Sequence, residues 1–181
     1  MVQYKDLSAS TAPSVTSRRS RRRRGIVIHT TMGYDSLAWL QGGSALVGRP
    51  ASCDFLIARS GDILRLTRRD LYSYHSGRAI WNGYQEPDTS INQGFIGIEI
   101  EAAEHKGQQI LNIQYIALAH LTSLLMRVYH INVKNVCLHK DCALPKGRKS
   151  DPRDFHWWIL QREQLHPSEE ASHYGIDQGA L

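Results

Sequence analysis

Short apolar runs rich in β-branched residues alternate with one long amphipathic segment in this 181-residue sequence. The long segment, residues 113–130, has apolar side chains at three- and four-residue spacing, which is typical of a helix, and Asn112 can cap its start. Strands interleaved with helices are typical of a mixed α/β domain. The sequence therefore predicts one α/β domain with a central mixed β-sheet flanked by helices. The stretches that indicate strands are residues 25–31, 94–102 and 135–139 and a hairpin over residues 53–67.

Shorter elements complete this pattern. Residues 35–40 and 154–164 indicate helices, and the first can be capped by Asp35 or Ser36. Residues 76–94 contain Gly, Pro, Asn and Asp, so we predict a long loop over one end of the sheet. Residues 94–102 alternate Ile with Gly and Glu, which predicts a half-buried strand with one acidic face. No window approaches about 18 consecutive apolar residues, so no transmembrane helix is predicted.

The basic charge of the chain is concentrated near its N-terminus. The formal net charge is +5, but six of the 22 Lys and Arg residues lie between Arg18 and Arg24. The remaining 16 basic and 17 acidic side chains give a net charge of −1, so no nucleic-acid partner is expected. We expect a flexible Ser/Thr- and Arg-rich segment over residues 1–24, a folded domain over residues 25–166, and a polar tail over residues 167–181. The run Arg18–Arg24 could contact anionic polymers such as those of a cell envelope.

The cysteines and the N-terminal residues indicate where in the cell the chain is made. Cys53, Cys137 and Cys142 are an odd number, which does not indicate a disulfide framework. The basic N-terminal segment is not followed by the apolar region of a secretory signal. We therefore expect a monomer made in the cytoplasm without a signal peptide.

Two histidines and two carboxylates lie where strands of the predicted sheet would bring them together. His29 ends the first strand, His139 ends the last, Glu99 lies within the strand between them, and Asp151 follows His139 by twelve residues. Two imidazoles and one carboxylate with an open fourth position are the ligand pattern of a catalytic zinc site. A lone histidine at a strand end is more often a hydrogen-bonding residue than a metal ligand, so spacing alone leaves both explanations open.

Four motifs occur in order along the chain: IVIHTT at residues 26–31, YHSG at 74–77, NQGFIGIEIE at 92–101 and LHKDCALPKGRKSDP at 138–152. Together they resemble the zinc-dependent N-acetylmuramoyl-L-alanine amidases of the amidase-2 family, which shares its fold with the peptidoglycan recognition proteins and includes phage endolysin amidases. The resemblance implies that fold, a Zn²⁺ cofactor, peptidoglycan or muropeptides as binding partners, and hydrolysis of the amide bond between N-acetylmuramic acid and L-alanine.

The resemblance also implies roles for individual residues. His29, His139 and Asp151 match the zinc ligands, Glu99 matches the catalytic acid/base, and Lys149 matches a lysine that faces the scissile carbonyl. His75 in YHSG matches a histidine near the substrate groove, and Asn92 matches a structural asparagine. Trp39 and Trp81, in the predicted groove loops, are candidates for substrate contact.

Some alternatives remain open beside this assignment. Cys142 is an alternative third ligand, since some phage members use Cys there, but the RKSDP context favours Asp151. A separate zinc cluster around Cys137 is disfavoured because Cys137 and His139 point to opposite faces of a strand. Glu101 is expected to be a solvated strand residue.

The function and its location also have alternatives. A non-catalytic peptidoglycan-binding module of the recognition-protein type is the second candidate function. An active enzyme would reach the cell wall by phage-type release or by a secretion system, or would recycle muropeptides in the cytoplasm.

Overall fold

The computed structural model of this chain describes residues 3–18, 22–31, 33, 36–85 and 91–165. Ten strands occur within these residues: β1 (Tyr4–Asp6), β2 (Thr16–Arg18), β3 (Gly25–Thr30), β4 (Phe55–Ile57), β5 (Ile63–Arg65), β6 (Leu71–Ser73), β7 (Ile80–Trp81), β8 (Tyr84–Gln85), β9 (Phe95–Ile100) and β10 (Val136–Leu138). Six of them form the main sheet in the order β1-β5-β4-β9-β3-β10. The pairs β4–β9, β9–β3 and β3–β10 are parallel and β4–β5 is antiparallel, which confirms the predicted mixed sheet and the hairpin.

Helices lie on and around this sheet. Their bounds are α1 (Ser36–Ala38), α2 (Ser44–Leu46), α3 (Ile91–Gly94), α4 (Asn112–Tyr129), α5 (His139–Cys142) and α6 (Trp157–Leu165), and a π-helical turn, Trp39–Gly43, joins α1 to α2. None of the helices in the described residues is both long and apolar enough to cross a membrane. The predicted tail over residues 167–181 lies outside the described part of the chain.

The long helix α4 matches its prediction to within a residue at each end, but its cap does not. Leu111 occupies the N-cap position, and its backbone N–H donates to the side-chain Oε1 of Gln114 at 3.1 Å. Asn112 is the first residue inside the helix. Asn112 is therefore not the cap, and the side chain of Gln114 instead satisfies the N–H of the N-cap residue, because a side chain at the third helical position can reach back to the N-cap backbone.

Alternation along the central strands separates the hydrophobic core from the site face. Ile26 and Ile28 of β3 pack with Ile96 and Ile98 of β9 against α4, all of them fully buried. Successive strand residues point to opposite faces of a sheet, so Val27, His29, Gly97 and Glu99 share the other face. That face is also covered, and the side chain of Glu99 is only 14% exposed. The half-buried acidic strand that the sequence analysis expected is therefore wrong for β9, which is buried on both sides.

The residues before Gly25 are built into the fold. β1 pairs in parallel with β5, and β2 pairs antiparallel with β6. Arg23 is buried, with its Nη1 3.1 Å from Oδ1 of Asp54. The expectation of a flexible segment over residues 1–24 is therefore wrong for these described residues, because backbone pairing and a buried ion pair hold them against the sheet.

Candidate active site

The carboxyl ends of three parallel strands bring the predicted site residues together. His29 and Glu99 are paired in register on β3 and β9, and His139 directly follows β10 as the first residue of α5. In open α/β sheets, ligands bind outside the carboxyl ends of the strands. Asp151 reaches the same point from the loop after α5, where the backbone N–H of Lys140 donates to the Asp151 carbonyl at 2.8 Å.

His29, His139 and Asp151 form a compact buried cluster. Each offers one ligand atom, and these atoms lie within 4.8 Å of one another. The Oδ2 of Asp151 is 2.9 Å from Nδ1 of His139 and 3.7 Å from Nδ1 of His29. Within the described residues, this is the group whose side chains could hold a metal ion, and it contains Asp151 rather than Cys142.

The remaining ring nitrogens of the two histidines have other partners. Nε2 of His139 lies 3.1 Å from the carbonyl oxygen of Ser76, to which it donates, and Nε2 of His29 lies 3.1 Å from Nδ1 of His75. A neutral imidazole that donates from Nε2 has its lone pair on Nδ1. In that tautomer both Nδ1 lone pairs face the carboxylate of Asp151, an arrangement that a bound cation would stabilise. The donor set therefore fits a metal ion with two imidazoles and one carboxylate.

The electrostatics of the cluster favour the protonation states that a metal binds. Burial, together with the nearby His139, lowers the pKa of His29 well below its usual value. Burial acts to raise the pKa of Asp151, but its close interactions with His139 and His29 outweigh burial and hold this pKa below the usual range. A neutral imidazole and an ionised carboxylate are the forms that coordinate metals.

Glu99 lies beside the cluster as a buried carboxyl group. Its Oε1 is 4.0 Å from Nδ1 of His29, and its Oε2 is buried without a hydrogen-bond partner among the described groups. Burial raises the pKa of Glu99 to about 8, with the charge of Asp151 acting in the same direction and that of Lys149 opposing it. A carboxyl group with a pKa near neutrality can both accept and return a proton.

A cleft of about 430 Å³ opens above these groups. It is lined by the predicted residues Trp39, His75, Glu99, His139, Lys149 and Asp151, together with Thr30, Thr31, Ser36 and Tyr74. Lys149 is exposed and Trp39 is 44% exposed, so both present their side chains to a molecule that enters the cleft. The volume lies within the range of sites that bind small molecules.

Trp81 is not brought to this cleft. Its indole Nε1 donates to the carbonyl oxygen of Lys134 at 2.8 Å, and its ring packs against a buried cluster that includes Val27 and Phe95. Trp81 therefore packs at the base of the long loop and does not line the cleft as the predicted substrate contact would require. The same cluster contains Cys137 and Cys142, whose thiols lie near backbone carbonyls.

Two residues that the sequence analysis did not place in the site hold the loop that carries His75. The Oδ1 of Asn92 accepts hydrogen bonds from the backbone N–H groups of His75 and Ser76, at 3.1 and 2.8 Å. The guanidinium of Arg148 donates to the carbonyl oxygens of Ser76 and Arg78, both at 2.9 Å. Arg148 lies inside the RKSDP motif, and this position is the signal by which the sequence could have indicated it.

Comparison with solved structures places this fold among known amidases. A selenomethionine derivative of AmpD matches with a TM-score of 0.69 at 21% identity, covering 89% of this chain and 94% of that one. AmpDh3 from Pseudomonas aeruginosa, solved in complex with an anhydromuramic pentapeptide, matches at 26% identity with a TM-score of 0.63 over 78% of this chain. The amidase AmiD from E. coli, solved with anhydro-N-acetylmuramic acid-L-Ala-D-gamma-Glu-L-Lys, matches at 26% identity with a TM-score of 0.64 over 81%. This chain spans 60% of each of the last two proteins.

The sequence comparisons agree with the fold. None of the curated proteins matches this chain significantly. The model of the N-acetylmuramoyl-L-alanine amidase family matches residues 19–154, well over half of the sequence. The matched range includes every residue of the buried cluster and the cleft. The chain therefore belongs to the N-acetylmuramoyl-L-alanine amidase family.

Proposed function

We propose that this protein is a zinc-dependent amidase that cleaves the bond between the lactyl group of N-acetylmuramic acid and L-alanine in peptidoglycan fragments. The observation that carries the proposal is the buried His29–His139–Asp151 cluster at the floor of an open cleft, with Glu99 and Lys149 beside it. These residues would supply the metal ligands and the groups for proton transfer and charge stabilisation at one place.

The donor atoms of the His29–His139–Asp151 cluster favour Zn²⁺ over Mg²⁺ and Ca²⁺. Two imidazole nitrogens and one carboxylate oxygen are typical ligands of catalytic Zn²⁺, whereas Mg²⁺ and Ca²⁺ prefer oxygen ligands. Zinc bound by these three residues would polarise the substrate carbonyl and lower the pKa of water to about 7.

Glu99 is the proposed acid/base. Glu99 lines the cleft, and its carboxylate is proposed to take a proton from the attacking water as oxygen adds to the lactyl carbonyl carbon. The same carboxyl then returns the proton to the amide nitrogen as the C–N bond breaks. The products are a lactyl carboxylate and the free amine of L-alanine, so one water is consumed.

Lys149 and Trp39 are proposed to act on the substrate itself. The ammonium group of Lys149 lies at the wall of the cleft, where it can donate to the oxyanion that forms on the carbonyl. The exposed indole of Trp39 offers an apolar surface to the sugar ring or to the lactyl group. The relatives solved with anhydromuramic peptides support fragments of this size as substrates.

The first experiment is a zinc titration of the metal-free protein with a soluble anhydromuramic peptide as substrate. We expect peptide release to rise with zinc and to saturate at one equivalent, and the E99Q variant to bind zinc equally well but to release peptide far more slowly. The alternative function, a non-catalytic binding module, requires that the zinc-loaded wild-type protein bind the muropeptide and leave it intact.

The same assay separates the proposed locations of action. A preference for whole sacculi over soluble anhydromuropeptides supports action on the cell wall after phage-type release or secretion. The opposite preference supports muropeptide recycling in the cytoplasm. Neither preference depends on the chemistry proposed above, since both substrates contain the same amide bond.

A further inference from the structure

His75 is within hydrogen-bonding distance of His29, the first of the three candidate metal ligands. Its Nδ1 is 3.1 Å from Nε2 of His29, and the two rings are perpendicular, with centroids 5.2 Å apart. His75 is buried, with 8% of its surface exposed. It therefore presents most of its ring to the protein and only an edge to the cleft.

The direction of this hydrogen bond follows from the other side of the His29 ring. Nδ1 of His29 faces Oδ2 of Asp151 at 3.7 Å, on the side where the three ligand atoms converge. If Nδ1 supplies the lone pair, the proton of the neutral ring is on Nε2, and Nε2–H donates to Nδ1 of His75. An acceptor that binds the ring N–H of a metal-binding histidine on the side away from the metal fixes the tautomer and the orientation of that ring.

His75 is itself held rigidly enough to serve as such an acceptor. Asn92 accepts from its backbone N–H at 3.1 Å, which fixes the loop. The His75 ring lies directly on Gly97 of β9, where a Cβ would come within 2.5 Å of the His75 Cγ. The carboxylate of Asp54 then accepts from the Gly97 N–H at 3.0 Å and from the Ser73 hydroxyl at 2.9 Å, which joins β9 to the strand that precedes His75.

We propose that His75 is a positioning residue, which sets the tautomer and orientation of His29 for the metal, and not the substrate-binding residue that the sequence analysis expected. The proposal rests on the proposed function for the identity of the metal. It concerns the apo and zinc-bound protein, so it can be tested without substrate.

Three substitutions separate the two roles. In H75N, the amide Oδ1 is as many bonds from Cα as Nδ1 of histidine and can still accept from His29. In H75Q, the amide lies one bond further along, near the place of Nε2 at the far edge of the ring. H75L has no acceptor at either place. Three properties are measured for each variant. Zinc affinity is obtained by competition with a chelator, kcat and KM are determined at saturating zinc, and the His29 tautomer is identified by ¹⁵N NMR.

The positioning role predicts a specific order among the variants. H75L and H75Q lose the Nε2–H tautomer of His29, bind zinc roughly 10–100-fold more weakly and have a lower kcat with an unchanged KM. H75N keeps the tautomer and most of the zinc affinity. Thermal melts of the metal-free variants show whether each is folded, and the comparison of H75N with H75Q stands if H75L does not fold.

The opposite pattern overturns the proposal. If the variants raise KM and leave zinc affinity and the His29 tautomer unchanged, His75 is a substrate residue. If H75N binds zinc no better than H75Q, the acceptor at the Nδ1 position has no role. A wild-type protein that binds zinc in this His75-dependent way but cleaves no muropeptide would refute the proposed function and leave the positioning role intact.

Discussion

The Arg23–Asp54 ion pair provides a quantitative test of how the N-terminal segment is held. Nη1 of Arg23 and Oδ1 of Asp54 are 3.1 Å apart, and their side chains are 5% and 1% exposed. Oδ2 of Asp54 accepts from the Gly97 N–H and the Ser73 hydroxyl, so the pair is connected to the strand that carries Glu99. The R23M substitution keeps an unbranched side chain and removes the guanidinium from a buried carboxylate.

The expected loss of stability is large for a single substitution. Removing one partner of a buried ion pair destabilises a protein by about 3–5 kcal/mol. The Gly97 N–H and the Ser73 hydroxyl still donate to Asp54 in R23M, which places the expected loss at the lower end, about 3 kcal/mol. For a chain of this size, about 1 kcal/mol shifts the melting temperature by roughly 2–4 °C, so we expect a decrease of roughly 6–12 °C.

The matched control is R22M, which removes the same charge from an exposed position one residue earlier. We expect its free energy of unfolding to stay within about 0.5 kcal/mol of the wild type. Both variants are measured by denaturant unfolding of the full chain at the same zinc concentration. Equal free energies of unfolding for R23M and R22M would show that the Arg23–Asp54 ion pair does not stabilise the fold. Arg23 would then be a solvated residue like Arg22.

The remaining predictions concern the cleft and the metal. E99Q is expected to lower kcat by about 10²–10⁴-fold while zinc affinity, measured by chelator competition, stays unchanged. K149M should lower kcat by about 10²–10³-fold through loss of one oxyanion donor, with thermal stability unchanged as the control. W39A should raise KM in steady-state assays and leave the melting temperature unchanged. W81A should lower the melting temperature and leave KM unchanged. The reverse result would make Trp81 the substrate contact and Trp39 the packing residue. Chelation of zinc should reduce stability, by about 4 kcal/mol if zinc had been present at 1,000 times its dissociation constant, and a melting temperature independent of zinc would contradict a metal site.

The sequence predicted the central part of the fold because its signals are local. Ile at every second position of β9 and the apolar run of β3 determine which face of each strand meets α4, and hence where His29 and Glu99 point. The carboxyl ends of parallel strands then bring these residues to one edge. The order of the motifs supplied the assignment of Asp151, which spacing alone left open.

The parts that the sequence did not predict depend on contacts between distant segments. The strand Tyr4–Asp6 is short and polar and becomes a strand by pairing with Ile63–Arg65. Arg23 belongs to an arginine run that indicates solvent exposure, and it is buried by a partner 31 residues away. His75 was assigned to the substrate by its motif, but its contact with His29 spans 46 residues.

The most direct test of the account is product analysis by mass spectrometry after digestion of an anhydromuramic peptide in heavy-oxygen water. Two products are expected, a free peptide with an N-terminal L-alanine and a muramic acid whose lactyl carboxylate contains one heavy-oxygen atom. The E99Q protein should form both products about 10²–10⁴-fold more slowly. A zinc-loaded wild-type protein that binds the muropeptide and leaves this bond intact, or that cleaves a different bond, would contradict the account.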